Sequence, residues 1–196
     1  YVVPLPPMFR DEHTGEFTDV RHLDGEAWEL YISNANRLGR MMKEDYGLTM
    51  VLHPHGDSHI ETREDIDRIF QATDPEYVGF CLDTGHIVYG MGDNTALIRD
   101  YPERISYVHI KAMDPKLVKQ AHDEDWPFVK AVKAGCSVPP PEGEPDMPSL
   151  VEALADLDKE LYVICEQDMY GCDPSYPLPN AIKVREYLAS IGLGVK

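Results

Sequence analysis

Four short apolar segments of this chain each run into side chains that bind metals or move protons. Residues 48–52 lead into His53-Pro54-His55-Gly56-Asp57-Ser58-His59-Ile60-Glu61, and residues 78–82 into Asp83-Thr84-Gly85-His86. Residues 105–108 bring up His109-Ile110-Lys111, and residues 161–165 end in Glu166-Gln167-Asp168. Carboxylates and imidazoles gathered in such numbers suit a divalent ion with coordination sites left open for substrate. Each piece alone has a plainer reading. Asp83-x-x-His86 reads as a helix cap with an exposed histidine, His109 as a hydrogen-bonded core histidine, and Glu166 as an ion-pair partner. The His53/His55/His59 group reads as a surface loop. What unites them is a shared address at the ends of apolar segments.

The elements that must carry these residues are legible as an alternation. Strand signals, short and rich in β-branched or aromatic residues, fall at 1–5, 48–52, 78–82, 105–110 and 161–165. Helix signals fall between them at 25–46, 64–71, 95–100, 149–159 and 179–191. Thr62-Arg63-Glu64-Asp65 offers a capping start for one of these helices, and Pro148-Ser149 an entry for another. Such alternation predicts parallel strands joined by helical crossovers, whose C-terminal ends all open on one rim. The stretch 114–147 is set apart by six prolines, Pro115, Pro127, Pro139, Pro140, Pro141 and Pro145, and by glycines. It reads as a long loop region shaping the pocket, with a short helix near 128–134 and a short strand near 136–138. Trp126 and Phe128 favour packing over solvation there.

Composition removes several function classes. Of the 196 residues, 18 are Lys or Arg and 35 Asp or Glu, a net charge of −17 that repels phosphate backbones and anionic membrane surfaces. Hydrophobic residues at 43% exclude wholesale disorder. The longest apolar runs are far below the about 20 residues that a membrane span needs, and with no basic segment followed by an apolar one at the start of the sequence, export is not expected. Cys81, Cys136, Cys165 and Cys172 lack CxxC or zinc-ribbon spacing, so reduced thiols and a cytoplasmic protein are expected. Cys81 and Cys165, inside apolar runs, read as small buried hydrophobes. Cys172, in a turn, reads as the most exposed.

On the strand-end motifs just quoted, from His53-Pro54-His55 through Ile60-Glu61-Thr62, Val78 to His86, Arg104 to Lys111 and Cys165 to Asp168, the chain resembles the xylose-isomerase-like (β/α)8-barrel superfamily. Its inosose-dehydratase-like branch is the nearest. The resemblance implies an α/β TIM-barrel fold forming one domain over 1–196. It implies a single divalent ion, manganese first, with cobalt, magnesium and zinc also fitting. The implied ligands are Glu61, Asp83, His109 and Glu166, with His53 or His55 standing in for Glu61, which comes eight residues after His53. Glu61, Glu166, His86 and Lys111 are the implied catalytic or substrate-contacting residues. The chemistry is proton abstraction beside a metal-bound carbonyl of a sugar, inosose or related polyhydroxy ketone. Returning the proton to carbon gives isomerisation or epimerisation, and losing a hydroxyl gives dehydration.

The chain is shorter than the about 250 residues of a full barrel. Counting from Asp83 at strand 5, it is expected to hold about strands 3 to 8, leaving edges exposed unless another chain or a homo-oligomer covers them. Other readings are a metal-dependent lyase subunit cleaving sugar conjugates and a non-catalytic metal-binding fragment. An endonuclease acting at abasic DNA is disfavoured by the charge, and no glycine-rich phosphate loop is found.

Overall fold

The computed structural model describes residues 1–169 and 171–194. Four parallel strands form the main sheet in the order β1 (Met50–Leu52), β2 (Val78–Asp83), β3 (Ile105–Ile110) and β6 (Tyr162–Cys165). The first segment runs alongside β1 as a further parallel lane. Val2 bridges Met50, and the Val51 N–H donates to the Val2 carbonyl at 2.9 Å. Pro4, Pro6 and Pro7 lack the N–H groups that would extend this lane into a regular strand. No strand follows the last helix among the described residues, so the expected run of about strands 3 to 8 is realised as four strands and this lane.

Helices α1 (Gly25–Tyr46), α2 (Arg63–Ala72), α4 (Asn94–Asp100), α7 (Met147–Ala155) and α8 (Pro177–Ser190) correspond to the five expected from periodicity. Gly47 ends α1 in the left-handed conformation, its N–H reaching back to the Lys43 carbonyl and the N–H of Leu48 to that of Met42. Thr62 and Asp65 form the anticipated reciprocal cap of α2. Helix α7 stops before the expected 159, and Asp158 beyond it takes a positive φ of 47°. Two helices have no counterpart in the sequence reading. Six-residue α3 (Thr84–Tyr89) is too short to show a period, and α5 (Pro115–Asp123) lies hidden in the proline-rich stretch. Its start was nevertheless written in sequence, because Asp114 caps it and Pro115 occupies the first turn.

The stretch 114–147 is therefore more ordered than a long loop. It holds α5, α6 (Phe128–Lys133), β5 (Ser137–Val138) and a 3-10 turn at Pro140–Glu142, with β5 pairing antiparallel to β4 (Ala112–Met113). These elements close a second apolar cluster of Tyr89, Met113, Val118, Phe128, Ala131 and Cys136. The main core lies between the sheet and the helices, where Met50, Leu52, Phe80, Leu82, Val108 and Ile110 meet Ile66, Ile69, Leu97, Leu150 and Leu188.

Strand alternation turns Cys81 and Asp83, and Tyr107 and His109, to the opposite face. Parallel registers then set Asp83 beside His109, and His109 beside Ile164. On that face the sheet is open. Tyr1 packs against Tyr107 and Tyr162, yet Tyr1, Leu5, Tyr162 and Ile164 remain exposed. Edge strand β6 also leaves Cys165 exposed, against the expectation of a buried thiol, while Cys81 and Cys136 are buried and all four thiols are free.

Arg104 pins the sheet to α2. Buried at 2% exposure, it donates to the carbonyls of Val78, Phe70 and Thr73 and to the Thr73 hydroxyl, with its guanidinium over the Phe70 ring. An Arg104→Met variant leaves those acceptors without their donor. Its unfolding free energy in urea should fall by about 3 kcal/mol, and an unchanged midpoint would remove Arg104 from the account of stability.

Candidate functional site

The site is assembled at the C-terminal ends of β1, β2, β3 and β6. Donor atoms of His53, Asp83, His109 and Glu166 all lie within 4.8 Å of one another. Asp83 is the centre, with no solvent exposure. Its Oδ1 accepts the His86 N–H at 2.8 Å and caps α3, leaving Oδ2 to face the cluster. His53 Nε2 lies 3.1 Å from that Oδ2, and His109 Nδ1 is 3.3 Å from both Asp83 Oδ2 and Glu166 Oε2. Lys111 Nζ approaches Asp83 at 3.4 Å, Glu166 at 3.1 Å and Asp168 at 3.1 Å.

The Asp83-Thr84-Gly85-His86 sequence builds this corner one residue at a time. The Thr84 hydroxyl donates to the Lys111 carbonyl at 2.6 Å and accepts the Lys111 N–H at 2.9 Å, locking the end of β2 to the end of β3. Gly85 leaves room for the lysine stem, since a Cβ there would lie 2.5 Å from Lys111 Cγ. His86 is buried, accepts the Gly56 N–H on Nδ1 at 3.1 Å and faces Lys111 Nζ with Nε2 at 3.3 Å. The aspartate thus caps a helix and faces the cluster at once, while the histidine beside it is buried rather than exposed.

Electrostatics follow from burial of this many charges. Burial alone would raise Asp83, but Lys111 and the hydrogen bonds from His109 and His53 hold it well below the usual carboxylate range. Burial works against a charged His109, yet its bonds to Asp83, Cys81 and Glu166 carry it up to about 12. Hydrogen bonding to His109, then attraction to Lys111, lowers Glu166 despite partial burial. Burial drives His86 down, consistent with a neutral ring. Burial opposes charge on Lys111 too, but Asp83, Asp168 and Glu166 raise it above the ordinary lysine range.

The residues fit a divalent ion. Two imidazoles and two carboxylates are a borderline-to-hard donor set, and the buried His53 Nδ1 lacks a hydrogen-bond partner among protein atoms. His53 occupies the place for which Glu61 was the first choice. Glu61 belongs to no group of convergent metal donors among the described residues. The loop turns back on itself, with the His55 N–H bonded to the Ile60 carbonyl, and Ile60 is fully buried. Glu61 is thereby held at the start of α2, where its N–H reaches Asp65 and its side chain borders a separate cavity with Phe9, Arg21 and His22. His55 also turns elsewhere. Its ring packs on His86 and Phe128, and it lines a cavity of about 390 Å³.

That cavity adjoins the cluster and draws on three regions. Met8, Glu12 and His13 come from the N-terminal segment, Phe128, Val129 and Val132 from the insertion, and Asp168 and Met169 from beyond β6. Asp168 and Cys81 were not singled out from sequence as site residues. Asp168 carried a signal as the second acid past a strand end, and Cys81 shares the Asp83 face by alternation.

The family described as xylose isomerase-like TIM barrel matches residues 3–190. An inosose dehydratase of Clostridium botulinum (strain Alaska E43 / Type E3) is 33% identical over 169 residues, covering 85% of this chain and 55% of the relative. The chain thus spans about half the length of the curated relatives it matches. A crystal structure of IolI protein with a binding zinc atom has a TM-score of 0.69 at 20% identity, over 100% of this chain and 64% of that one. The probable 3-DHS dehydratase AsbF from Bacillus anthracis follows at TM-score 0.66 and 12% identity, over 96% of this chain and 63% of that one.

Glu61 gives a prediction independent of any metal. Burial, reinforced by Asp57, raises its pKa from 4.5 to about 7. With the folded value above the unfolded one, its favourable contribution is complete below about pH 4.5 and is lost as pH rises through 7. Glu61→Gln should therefore gain up to about 3 kcal/mol over wild type between pH 4 and pH 8. Denaturant melts at both pH values check it, and a pH-independent difference would refute it.

Proposed function

The chain belongs to the xylose isomerase-like TIM barrel family, and from that premise we propose that it binds one divalent ion through His53, Asp83, His109 and Glu166 and dehydrates a polyhydroxylated ketone of the inosose class. The observation that carries this reading is the convergence of those four donors within 4.8 Å at one end of a parallel sheet. The inosose dehydratase relatives support the choice of dehydration and of a cyclitol ketone. No helix among the described residues is long and apolar enough to cross a membrane. The acidic surroundings of the cavity favour a neutral substrate over a nucleic acid.

An ion bound there supplies Lewis-acid polarisation of the substrate carbonyl, acidifying the neighbouring C–H. The chain's own residues then handle two protons. Asp168, lining the cavity 3.1 Å from Lys111 Nζ, takes the carbon-bound proton. Lys111, held charged by Asp83, Asp168 and Glu166, gives a proton to the departing hydroxyl, which leaves as water. Transfer from the Asp168 carboxyl to the Lys111 amine resets both groups, and no net proton is consumed. Phe128 and Val132 offer an apolar wall to the C–H face of a ring, and His55 offers a polar floor. Return of the proton to carbon by the same pair would give epimerisation.

Two variants test this assignment in parallel. Asp83→Asn should weaken Mn²⁺ binding by more than the roughly 10–100-fold that loss of an outer-shell partner costs, read by calorimetric titration. Lys111→Met should keep the ion while turnover of an inosose falls about 10²–10⁴-fold. Mn²⁺ binding indifferent to Asp83→Asn would sink the metal assignment, and full turnover in Lys111→Met would sink the role of the lysine.

A further inference from the structure

Just below the four-donor cluster lies a second set of donors with a different chemical character. Donor atoms of His53, Cys81 and His109 also fall within 4.8 Å of one another. Cys81 sits on β2 two residues before Asp83, so alternation puts its thiol on the same face and one step farther from the rim. It has no solvent exposure, and its sulfur lies within 4.8 Å of a ring nitrogen of His109. His53 is 4% exposed, with a buried Nδ1 that no protein group partners. A thiol between two imidazoles exceeds what packing of a small hydrophobe requires.

We propose that His53, Cys81 and His109 form a deeper, thiophilic metal position that competes with the carboxylate-rich position for the same two histidines. The inference rests on the metal assignment made above and extends it to which ions the site takes and where. Because both positions share His53 and His109, they hold one ion between them. Carboxylate-rich ligation suits manganese or magnesium, whereas a thiolate selects zinc and other soft ions. As the metal–sulfur bond forms, the thiol proton leaves to the buffer. An ion drawn down to Cys81 gives up Asp83 and Glu166 and recedes from the cavity beside Asp168. Soft ions are thereby held away from substrate, and the site discriminates by metal softness.

The test uses Cd²⁺ alone as the probe, with Mn²⁺ titrated separately. Wild-type protein should develop a sulfur-to-cadmium charge-transfer band in the ultraviolet. A variant carrying both Cys165→Ser and Cys172→Ser, which lacks the two exposed thiols, should keep the band. Cys81→Ser should lose it while still taking up Mn²⁺. Cadmium NMR of the unmutated protein reads sulfur ligation without relying on the folding of any variant. Persistence of the band in Cys81→Ser, or bound cadmium with no sulfur signature in wild type, would overturn the proposal and leave the four-donor site standing. Failure of wild type to take up either ion would overturn the metal assignment first and this inference with it.

Discussion

A carboxylate with no solvent exposure, Asp83 at the end of β2, is the constraint around which this corner of the protein is built. An ionised group removed from water must be compensated from every direction or it neutralises. One oxygen is satisfied by the first turn of α3, and the other faces His53, His109 and Lys111. Each compensating group brings a requirement of its own. Lys111 needs the glycine at 85 for its stem and the Thr84 hydroxyl to hold its backbone. His86 accepts the Gly56 N–H, which ties the loop after β1 to the helix after β2.

The same arrangement explains how a compact charge cluster stays open to chemistry. Its histidines and carboxylates partner one another at 3.1–3.3 Å, and the buried His53 Nδ1 lacks a protein partner. Such a set is held in place by strand ends as well as by its own hydrogen bonds. The insertion between β4 and β5 adds what the barrel wall lacks, a packed apolar cluster with Phe128 at its edge. Asp57 links the two, since its carboxylate accepts the Phe128 N–H and meets Arg10, while its backbone holds Phe9. A positive φ of 63° at Asp57 marks the tightness of that junction.

Much of this was legible in the chain itself, and the exceptions are instructive. Strand β3 and helix α1 fall at their expected residues because their hydrophobic patterns are long and unbroken. Helix α3 was hidden because six residues show no period, although the Asp83 cap announced it. Asp83, His109 and Glu166 could be picked out because each directly follows or ends an apolar strand. Glu61 is placed ahead of His53 in the sequence reading because the family resemblance implies a glutamate ligand at this strand. Burial of Ile60 and the bond of the Glu61 N–H to Asp65 instead commit that glutamate to the entry of α2.

What the sequence by itself determined is the rim: parallel βα alternation sends every strand end to one side, so residue type at those ends declares the chemistry. Only the tertiary structure decided which donors meet. Pairing register sets Asp83 beside His109, and loop geometry turns His53 inward, His55 toward the cavity and Glu61 away. The reason is physical. Strand character is a local property of the chain, whereas distances between side chains depend on contacts made by residues far apart in it.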